Sequence, residues 1–248
     1  MKKVNSDVAY EHIRRKILSG EFLPGQPLLT EALSAEVKLS RTSVREALHK
    51  LTAEGLVSIS PHVGASVKKM DLTEFREMCD LRLALEGRAA ALAALNRSQA
   101  DLREIKNSYQ LLKELTEQML GLADETPLMR ELQRADVRFH IAVMAASKNS
   151  LMKREIMRLH LVNRVVIGPM VTAQTEIPKP DRDENRRKDL ASHLQIYEAI
   201  DRADEHAARD AMERHILDVI ESSIQQMGEA EGSLPSTLTE EDLAYIGQ

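Results

Sequence analysis

The sequence is short of the residues that build disulfides, base-stacking platforms and membrane spans. It has one cysteine, Cys79, so neither a disulfide framework nor a thiolate metal cluster can form within the chain. It has no tryptophan and only 3% aromatic residues, which argues against a stacking surface for single-stranded nucleic acid. No apolar run approaches the roughly 18 residues of a membrane helix, and none follows the N-terminal residues as in a signal peptide. These absences predict a cytoplasmic protein with no membrane partner.

Charge is distributed unevenly along the 248 residues. Residues 1–70 contain 11 Lys and Arg against 7 Asp and Glu, whereas the remainder contains 23 against 32. A basic first part joined to an acidic second part is typical of a nucleic-acid-binding module attached to another domain, although ordinary variation between domains can also produce it. With 43% hydrophobic residues, the chain is long enough to form two domains with separate cores.

The first seventy residues predict three helices followed by a small hairpin. The second helix covers 30–37, and the third runs from an N-cap at Ser40 to a terminating glycine, Gly55. Beyond Gly55, apolar residues alternate with serines on both sides of a break that contains Gly64, as in a β-hairpin. Three helices followed by a hairpin predict a winged helix-turn-helix domain over residues 1–70.

The third helix combines a buried stripe with a polar N-terminal end. Its apolar residues recur at helical spacing, at Val44, Ala47, Leu48 and Leu51. Off this stripe lie the polar residues Arg41, Thr42, Ser43 and Arg45. Arginine can bind guanine edges bidentately, and threonine and serine can hold phosphates, so these four residues are the candidate DNA contacts. The alternative is an ordinary solvated helix face, which would leave the hairpin and the basic balance unexplained.

Several short motifs in this region resemble the GntR family of bacterial transcription regulators. The stretches "ILSGEFLPGQPL", "SRTSVREAL", "EGLV" and "VGASV" follow the N-terminal pattern of that family in order over about sixty residues. The resemblance implies that Arg41, Thr42 and Arg45 contact operator DNA. It also implies that Gly64 lets the wing approach the minor groove.

The sequence departs from this family pattern at two positions. Many relatives carry an arginine at the start of the second helix, where this chain has Glu31. Many also carry a basic residue just before the wing glycine, where this chain has Val63, and His62 is the neighbouring residue that can substitute. These departures bear on operator sequence and affinity.

From residue 71 to about 227 the sequence shows only helical periodicity. Candidate helices cover 72–95, 98–122, 127–146, 150–168, 182–202 and 205–227. A polar stretch with two prolines, 176–185, predicts a loop. The sequence therefore predicts an all-α bundle of six or seven helices over 71–228, followed by an acidic, flexible tail over 229–248 that could contain a short helix at 237–246.

Four polar side chains lie on otherwise apolar helix faces of this second domain. They are Asp136, His140, His193 and His215. A buried carboxylate or imidazole without a partner costs roughly 1–3 kcal/mol or more, and one divalent metal ion would satisfy all four. Helical bundles build such sites from facing helices. Separate, hydrogen-bonded core histidines are the alternative, because sequence spacing does not show that the helices converge.

A second resemblance covers the same residues. "DVRFHIAVMAASKNSLM" and "SHLQIYEAIDRADEHAARDAMERHI" look like parts of the FadR-type (FCD) C-terminal ligand-binding domain. In the metal-binding branch of that domain the ligands are one Asp and three His, and the matching residues here are Asp136, His140, His193 and His215. The resemblance thus implies a divalent metal, with zinc as the first choice and nickel, iron or manganese as alternatives.

Arg82 is the first candidate for binding an effector. It lies on an apolar face of the first helix of the second domain, and a buried guanidinium requires a carboxylate. Glu86, four residues later, would supply that carboxylate within the helix, whereas a small organic acid would supply it as a ligand. The family supports the second interpretation, because many relatives respond to organic acids. Asn163 and Arg164 are weaker candidates for the same pocket.

These observations together predict a ligand-responsive transcription regulator, acting as a repressor. A homodimer would place two recognition helices in successive major grooves of a short pseudo-palindrome of double-stranded DNA. The rival hypotheses are a metal sensor, a metal-dependent enzyme and an acyl-CoA-binding regulator without metal. The enzyme is disfavoured because the sequence shows no additional general base at a spacing typical of a catalytic site. The acyl-CoA regulator is disfavoured because a domain that binds no metal does not require three histidines that face its core.

Overall fold

Helices dominate the described part of the chain, with one two-stranded hairpin between the third and fourth. The computed structural model describes residues 5–171 and 178–233. The elements in these ranges are α1 (Asn5–Ser19), α2 (Thr30–Val37), α3 (Arg41–Ala53), β1 (Val57–Ser60), β2 (Gly64–Val67), α4 (Leu72–Asn96), α5 (Gln99–Met119), α6 (Thr126–Ala146), α7 (Ser150–Val171), α8 (Lys179–Asp201) and α9 (Glu205–Ser233).

The elements from α1 to β2 form a winged-helix unit around one apolar core. The predicted stripe of α3 is buried in that core together with Ile13 and Ile17 of α1. The hairpin is antiparallel, with Val57 opposite Val67, and the N–H of Leu28 donates to the carbonyl of Ala65 at 2.7 Å. This last bond ties the chain before α2 to the wing. The predicted winged helix-turn-helix fold is confirmed.

The remaining elements, α4 to α9, form an all-helical domain, as predicted. Helix α4 is rich in alanine where it faces the core, and small side chains let α9 pack closely against it. The approach is close at Gly87, where an added Cβ would lie 2.7 Å from the side chain of Glu213. Among the described residues, six helices make up this domain, and none of the chain's described helices is long and apolar enough to span a bilayer.

Four helix ends differ from the prediction by three residues or more. Helix α5 ends at Met119 instead of 122, α7 ends at Val171 instead of 168, and the start of α8 and the end of α9 also differ. Helix α8 begins at Lys179 rather than at 182, because Pro180 occupies the first helical turn, where the missing N–H has no helical partner to lose. The side chain of Lys179 also contacts Glu125 and Asp183, which holds this first turn against the end of the α5–α6 connection. The stretch 176–185 is therefore a loop only before the helix starts.

Helix α9 continues to Ser233, past the predicted end at 227. The first five residues of the predicted flexible tail thus belong to a helix, while 234–248, including the possible helix at 237–246, lie outside the described residues. The predicted domain limits of 1–70, 71–228 and 229–248 stay predictions.

Helix α7 joins the two parts of the molecule. Val165 is buried in the same cluster as the core of the winged-helix unit. Gly55, just after α3, has a φ of +78°, and a Cβ added there would lie 3.0 Å from Cγ2 of Val162. On the side of α4, Val162 packs in a cluster with Phe75 and Cys79. Burial raises the pKa of the Cys79 thiol to about 11.

Candidate functional site

The N-terminal end of α3 presents polar side chains to solvent. The N–H of Ser43 donates to Oγ of Ser40 at 3.1 Å, which caps the helix as predicted. Arg41, Thr42 and Arg45 are exposed, while the apolar stripe of the same helix is buried. Ser43 is half-buried, and its hydroxyl lies 2.9 Å from that of Ser40. The geometry leaves Arg41, Thr42 and Arg45 accessible to a nucleic acid.

Glu31 lies beside this surface. Its carboxylate forms an ion pair with the guanidinium of Arg41 at 2.8 Å, and both side chains are exposed. The acidic residue that departs from the family pattern therefore contacts one of the candidate DNA-binding arginines. The guanidinium of Arg41 thus faces a carboxylate of the protein itself.

The tip of the hairpin projects from the winged-helix unit. His62 has a φ of +65° and Gly64 a φ of +98°, both in the left-handed region that glycine adopts easily. Val63, between them, is 85% exposed. An exposed, tightly turned tip of this kind can enter a groove.

The four predicted metal ligands converge in the helical domain. Asp136 and His140 lie on α6, His193 on α8 and His215 on α9, and one ligand atom from each lies within 4.8 Å of the others. The three histidines are buried, whereas the side chain of Asp136 retains 37% exposure. The cluster is thus a core feature with one side that reaches solvent.

The Nε2 atoms of the three histidines face one another and Asp136. Nε2 of His140 lies 3.2 Å from Nε2 of His215, and Nε2 of His193 lies 3.1 Å from Oδ1 of Asp136. Oδ1 of Asp136 is also 3.8 Å from Nε2 of His140. Two nitrogens on a tetrahedral zinc ion would be about 3.3 Å apart, given zinc–nitrogen bonds of about 2.0–2.1 Å.

Each Nδ1 atom faces an oxygen that can accept a hydrogen bond from an Nδ1–H group. Nδ1 of His193 lies 2.8 Å from the backbone carbonyl of Asp189, which has no hydrogen to give. Nδ1 of His215 lies 2.9 Å from Oγ of Ser192, whose own hydrogen goes to that same carbonyl at 2.7 Å. Nδ1 of His140 lies 3.1 Å from Oε2 of Glu86, within contact distance although not aligned as a hydrogen bond. These partners favour the tautomer with Nδ1–H and leave the Nε2 lone pairs for a cation.

The cluster combines a neutral histidine with a protonated one. Burial and the neighbouring His193 and His140 hold the pKa of His215 well below its usual value, so its ring is neutral. Burial lowers the pKa of His193, but Asp189 and Asp136 outweigh it and raise that pKa to about 9. Withdrawal from water raises the pKa of Asp136, but His193 and the other histidines bring it below its usual range. Without a metal, His193 is therefore protonated near neutral pH, and its Nε2–H faces Oδ1 of Asp136. A divalent ion bound here would displace this proton, as metal binding to histidine requires.

Glu86 forms a second polar centre next to the cluster. Its carboxylate is fully buried and contacts Nε of Arg82 at 2.9 Å and Nε2 of His160 at 3.1 Å, in addition to His140. Burial alone would raise the pKa of Glu86, but the charges of His160 and Arg82 hold it well below its usual range. The i,i+4 partner that the sequence offered to Arg82 is the one it contacts.

The other two candidate effector contacts lie on α7. The side chain of Asn163 is half-buried, and its Oδ1 is buried without a hydrogen-bond partner. The side chain of Arg164 lies outside the described residues. An unpaired buried acceptor is unfavourable, and a ligand or water with a hydroxyl would satisfy it.

Three residues that contact the candidate site or its histidines are not predicted by the sequence. The sequence predicts Glu86 only as a partner for Arg82, and it identifies neither His160 nor Ser192 as a candidate. The only signal for Ser192 is its position directly before His193. No pattern in the sequence indicates that Glu86 and His160 meet, because they lie 74 residues apart on α4 and α7.

Comparisons with known proteins match both parts of the chain. The pattern described as "Bacterial regulatory proteins, gntR family" matches residues 5–67, and the pattern described as "FCD domain" matches residues 77–218. The chain is 27% identical over 227 residues to the probable D-xylose utilization operon transcriptional repressor of Paenarthrobacter nicotinovorans, with 92% of each chain covered.

It is also 29% identical over 221 residues to the HTH-type transcriptional regulator LutR of Bacillus subtilis, covering 82% of this chain and 94% of the relative. Among solved structures, McbR/YncC of E. coli is similar with a TM-score of 0.67 and 21% identity, over 90% of this chain and 99% of that one. At this identity the structural similarity shows the fold alone.

Proposed function

The chain belongs to the GntR family of bacterial regulatory proteins with a C-terminal FCD domain and is a DNA-binding transcription regulator, and we propose that a divalent metal and a small carboxylate together control its operator binding. Its relatives are named transcription regulators, so its function is regulation and not catalysis. The proposal concerns the metal, the effector and the identity of the contacts.

The convergence of one carboxylate and three histidines, with one ligand atom from each within 4.8 Å of the others, is the observation that carries the metal assignment. Asp136, His140, His193 and His215 would hold the ion. Zinc is the first choice for a mixed histidine and carboxylate set, with nickel, iron and manganese as alternatives. The bound ion would supply a positive centre that attracts an anionic ligand, and the exposed side of Asp136 offers access to it.

A small carboxylate is the effector class that suits the surrounding residues. Arg82 reaches Glu86 through Nε, and a guanidinium carries further N–H donors with which to bind a second carboxylate. Asn163, with its unpaired Oδ1, would accept a hydrogen bond from a ligand hydroxyl. Arg164 remains a third candidate contact on the same helix.

On the DNA side, we assign the contacts to α3 and the wing. Arg41 and Arg45 would contact base edges or phosphates, and Thr42 and Ser43 would form hydrogen bonds to phosphates of the DNA backbone. His62 and Gly64 would place the wing against the adjacent groove. Because lysine and arginine contacts release counterions, operator affinity should fall steeply as salt increases.

We further propose that the protein acts as a homodimeric repressor in the cytoplasm, where its DNA lies. Two winged-helix units would occupy successive major grooves of a short pseudo-palindrome. The name of the Paenarthrobacter relative supports repression, and effector binding changes DNA affinity only if it favours one arrangement of the two units.

The test of this function is a thermal-shift screen of small carboxylic acids against the purified protein, with and without a chelator. Ligand binding to the native state raises the melting temperature, so an effector should stabilise the protein only when metal is present. His215→Ala should abolish both metal content and this shift. His206→Ala is the matched control, since His206 lies on the same helix but its side chain is 87% exposed.

Two results would change the assignment. If chelation lowers the melting temperature but no acid shifts it, and metal alone changes DNA affinity, the protein is a metal sensor. If the wild-type protein and His215→Ala contain equally little metal, the metal centre itself is wrong.

A further inference from the structure

Glu86 connects three helices of the domain at one buried carboxylate. Arg82 reaches it from within α4, His140 from α6 and His160 from α7, at 2.9, 3.1 and 3.1 Å. The side chains of Arg82, Glu86 and His140 are at most 4% exposed, and that of His160 is 10% exposed. Both histidines contact the same oxygen, Oε2.

This arrangement distinguishes His140 from the other two histidines of the cluster. The Nδ1 partners of His193 and His215 are Asp189 and Ser192, which both lie on α8. The Nδ1 partner of His140 is instead shared with α7. Among the described Nδ1 contacts of the three histidines, only that of His140 leads to α7, because Glu86 also contacts His160. A movement of the His140 ring can therefore be passed to α7 through a polar group.

His160 lies close to the contact between α7 and the winged-helix unit. Val162, two residues later, is the side chain that a Cβ at Gly55 would meet, and Val165 is buried in the core of the winged-helix unit. One continuous helix carries all three residues. A small rotation or shift of α7 at His160 would therefore be transmitted to the end of α3.

Glu86, His140 and His160 also satisfy the distance requirement for a second metal site, since one ligand atom from each lies within 4.8 Å. The guanidinium of Arg82 contacts the same carboxylate and would face the added cation. Repulsion between these charges favours Glu86 as a hydrogen-bond acceptor over Glu86 as a metal ligand. The number of bound metal ions per chain tests this directly.

We propose that Glu86 is the positioning residue of the metal centre and that its contact with His160 links the centre to the winged-helix unit. When Nε2 of His140 is engaged, Nδ1 carries the proton and points to Oε2 of Glu86. In the structure, Nδ1 of His140 lies 3.1 Å from this oxygen without being aligned with it, and His160 already shares the oxygen. Alignment of Nδ1–H with Oε2, as Nε2 engages a metal, would shift the contact with His160 and so act on α7. This inference rests on the proposed metal centre and specifies how it regulates DNA binding.

Three variants of the full-length protein separate the two roles. Glu86→Gln should weaken zinc binding by roughly 10- to 100-fold, the range for outer partners of a metal ligand. His160→Leu should leave zinc affinity within about threefold of wild type, because His160 is not a ligand. His160→Gln keeps an N–H near the position of Nε2 and should behave as wild type.

The first readouts are zinc affinity, by competition with a chromophoric chelator, and ¹⁵N NMR of the histidine rings without metal. Wild type should show His140 protonated at Nδ1, and Glu86→Gln should lose this preference. A purely structural role for Glu86 would not alter the tautomer. Two zinc ions per wild-type chain would overturn the positioning role and favour the second metal site.

The second readouts are the hydrogen exchange of α3 and α7 and the affinity for duplex DNA. The duplex is first selected from a random library with the wild-type protein. Both quantities are measured once with zinc and once with a chelator. The zinc-dependent change in wild type and His160→Gln should be absent in His160→Leu. An equal change in all three variants would overturn the link while leaving the metal centre intact. If the wild-type protein binds zinc but neither its hydrogen exchange nor its duplex affinity changes, the link is also overturned. If the wild-type protein binds no zinc, the proposed metal centre is overturned as well.

Discussion

The hydroxyl of Ser192 illustrates how one side chain can orient a candidate metal ligand. It donates to the carbonyl of Asp189 and accepts from Nδ1 of His215, which orients that ring. Ser192→Ala should lower zinc affinity by about tenfold, measured by chelator competition, because the ring loses its fixed tautomer. Ser108→Ala is the control: its hydroxyl is buried without a partner, so removing it should leave zinc affinity unchanged. Equal affinities in both variants would contradict the role of Ser192.

Glu31 offers a test of the DNA-binding surface at the same scale. Its pair with Arg41 is exposed and contributes little to stability, but the carboxylate repels phosphates and competes for the guanidinium. Glu31→Gln should therefore raise duplex affinity by roughly three- to tenfold at low salt, with a smaller gain as salt increases. Fluorescence anisotropy with a labelled duplex measures this change. Glu36→Gln is the control, since Glu36 pairs with Lys16 on the other side of α2, and a similar gain there would indicate a general charge effect.

At the scale of elements, helix α5 depends on a capping box. The N–H of Asp101 donates to Oγ of Ser98, and the carboxylate accepts from the N–H of Ser98 and pairs with Lys148. Partial burial raises the pKa of Asp101, but Lys148 and Ser98 outweigh it and lower that pKa to about 2. The carboxylate therefore stabilises the fold above pH about 4, and this contribution is lost as the pH falls toward 2.

Asp101→Asn should reduce the free energy of unfolding by about 1 kcal/mol near pH 7. The deficit should shrink as the pH falls toward 2, where about half of the wild-type carboxyl groups are protonated. Urea denaturation at several pH values measures it. Glu117→Gln removes an exposed i,i+4 partner of Lys113 and should change stability by much less. A deficit of the same size at low pH would assign the effect to packing.

The sequence predicts elements well where local chemistry determines them. Ser40 and Gly55 bracket α3 because one caps the helix and the other adopts a left-handed conformation after it. The predicted start of α8 at 182 is wrong because Pro180, although typical of loops, is also compatible with the first turn of a helix. The extension of α9 past 227 has no local stop signal to mark it.

At the scale of the whole molecule, the contact between Gly55 and Val162 joins the two functional parts. Gly55→Ala should lower the melting temperature more than Gly20→Ala does. Both glycines have a φ of +78°, but only a Cβ at position 55 meets another side chain, since nothing lies within 4 Å of the corresponding position at Gly20. Left-handed strain costs roughly 1 kcal/mol in both variants, so the difference between them isolates the contact. Equal melting temperatures would show that Val162 moves aside freely.

The candidate site can be predicted only in part from the sequence, because it depends on the packing of whole helices. Asp136 and His140 share a face because they are four residues apart on one helix, and periodicity reveals that. The meeting of α6, α8 and α9 depends on how whole helices pack, which no local spacing encodes. Helical periodicity indicates all four candidate ligands and the family resemblance groups them, whereas the contact between Glu86 and His160 depends on how α4 and α7 pack.

The lone cysteine has a practical consequence. Cys79 is buried and its thiol pKa is raised to about 11, so it reacts slowly with maleimides at neutral pH. A cysteine introduced at the exposed wing residue Val63 would then be the one fast-reacting thiol of the 248-residue chain. The native protein is thus already a near-cysteine-free background for attaching a fluorophore or spin label, and movement of the wing can be followed without first removing a native thiol.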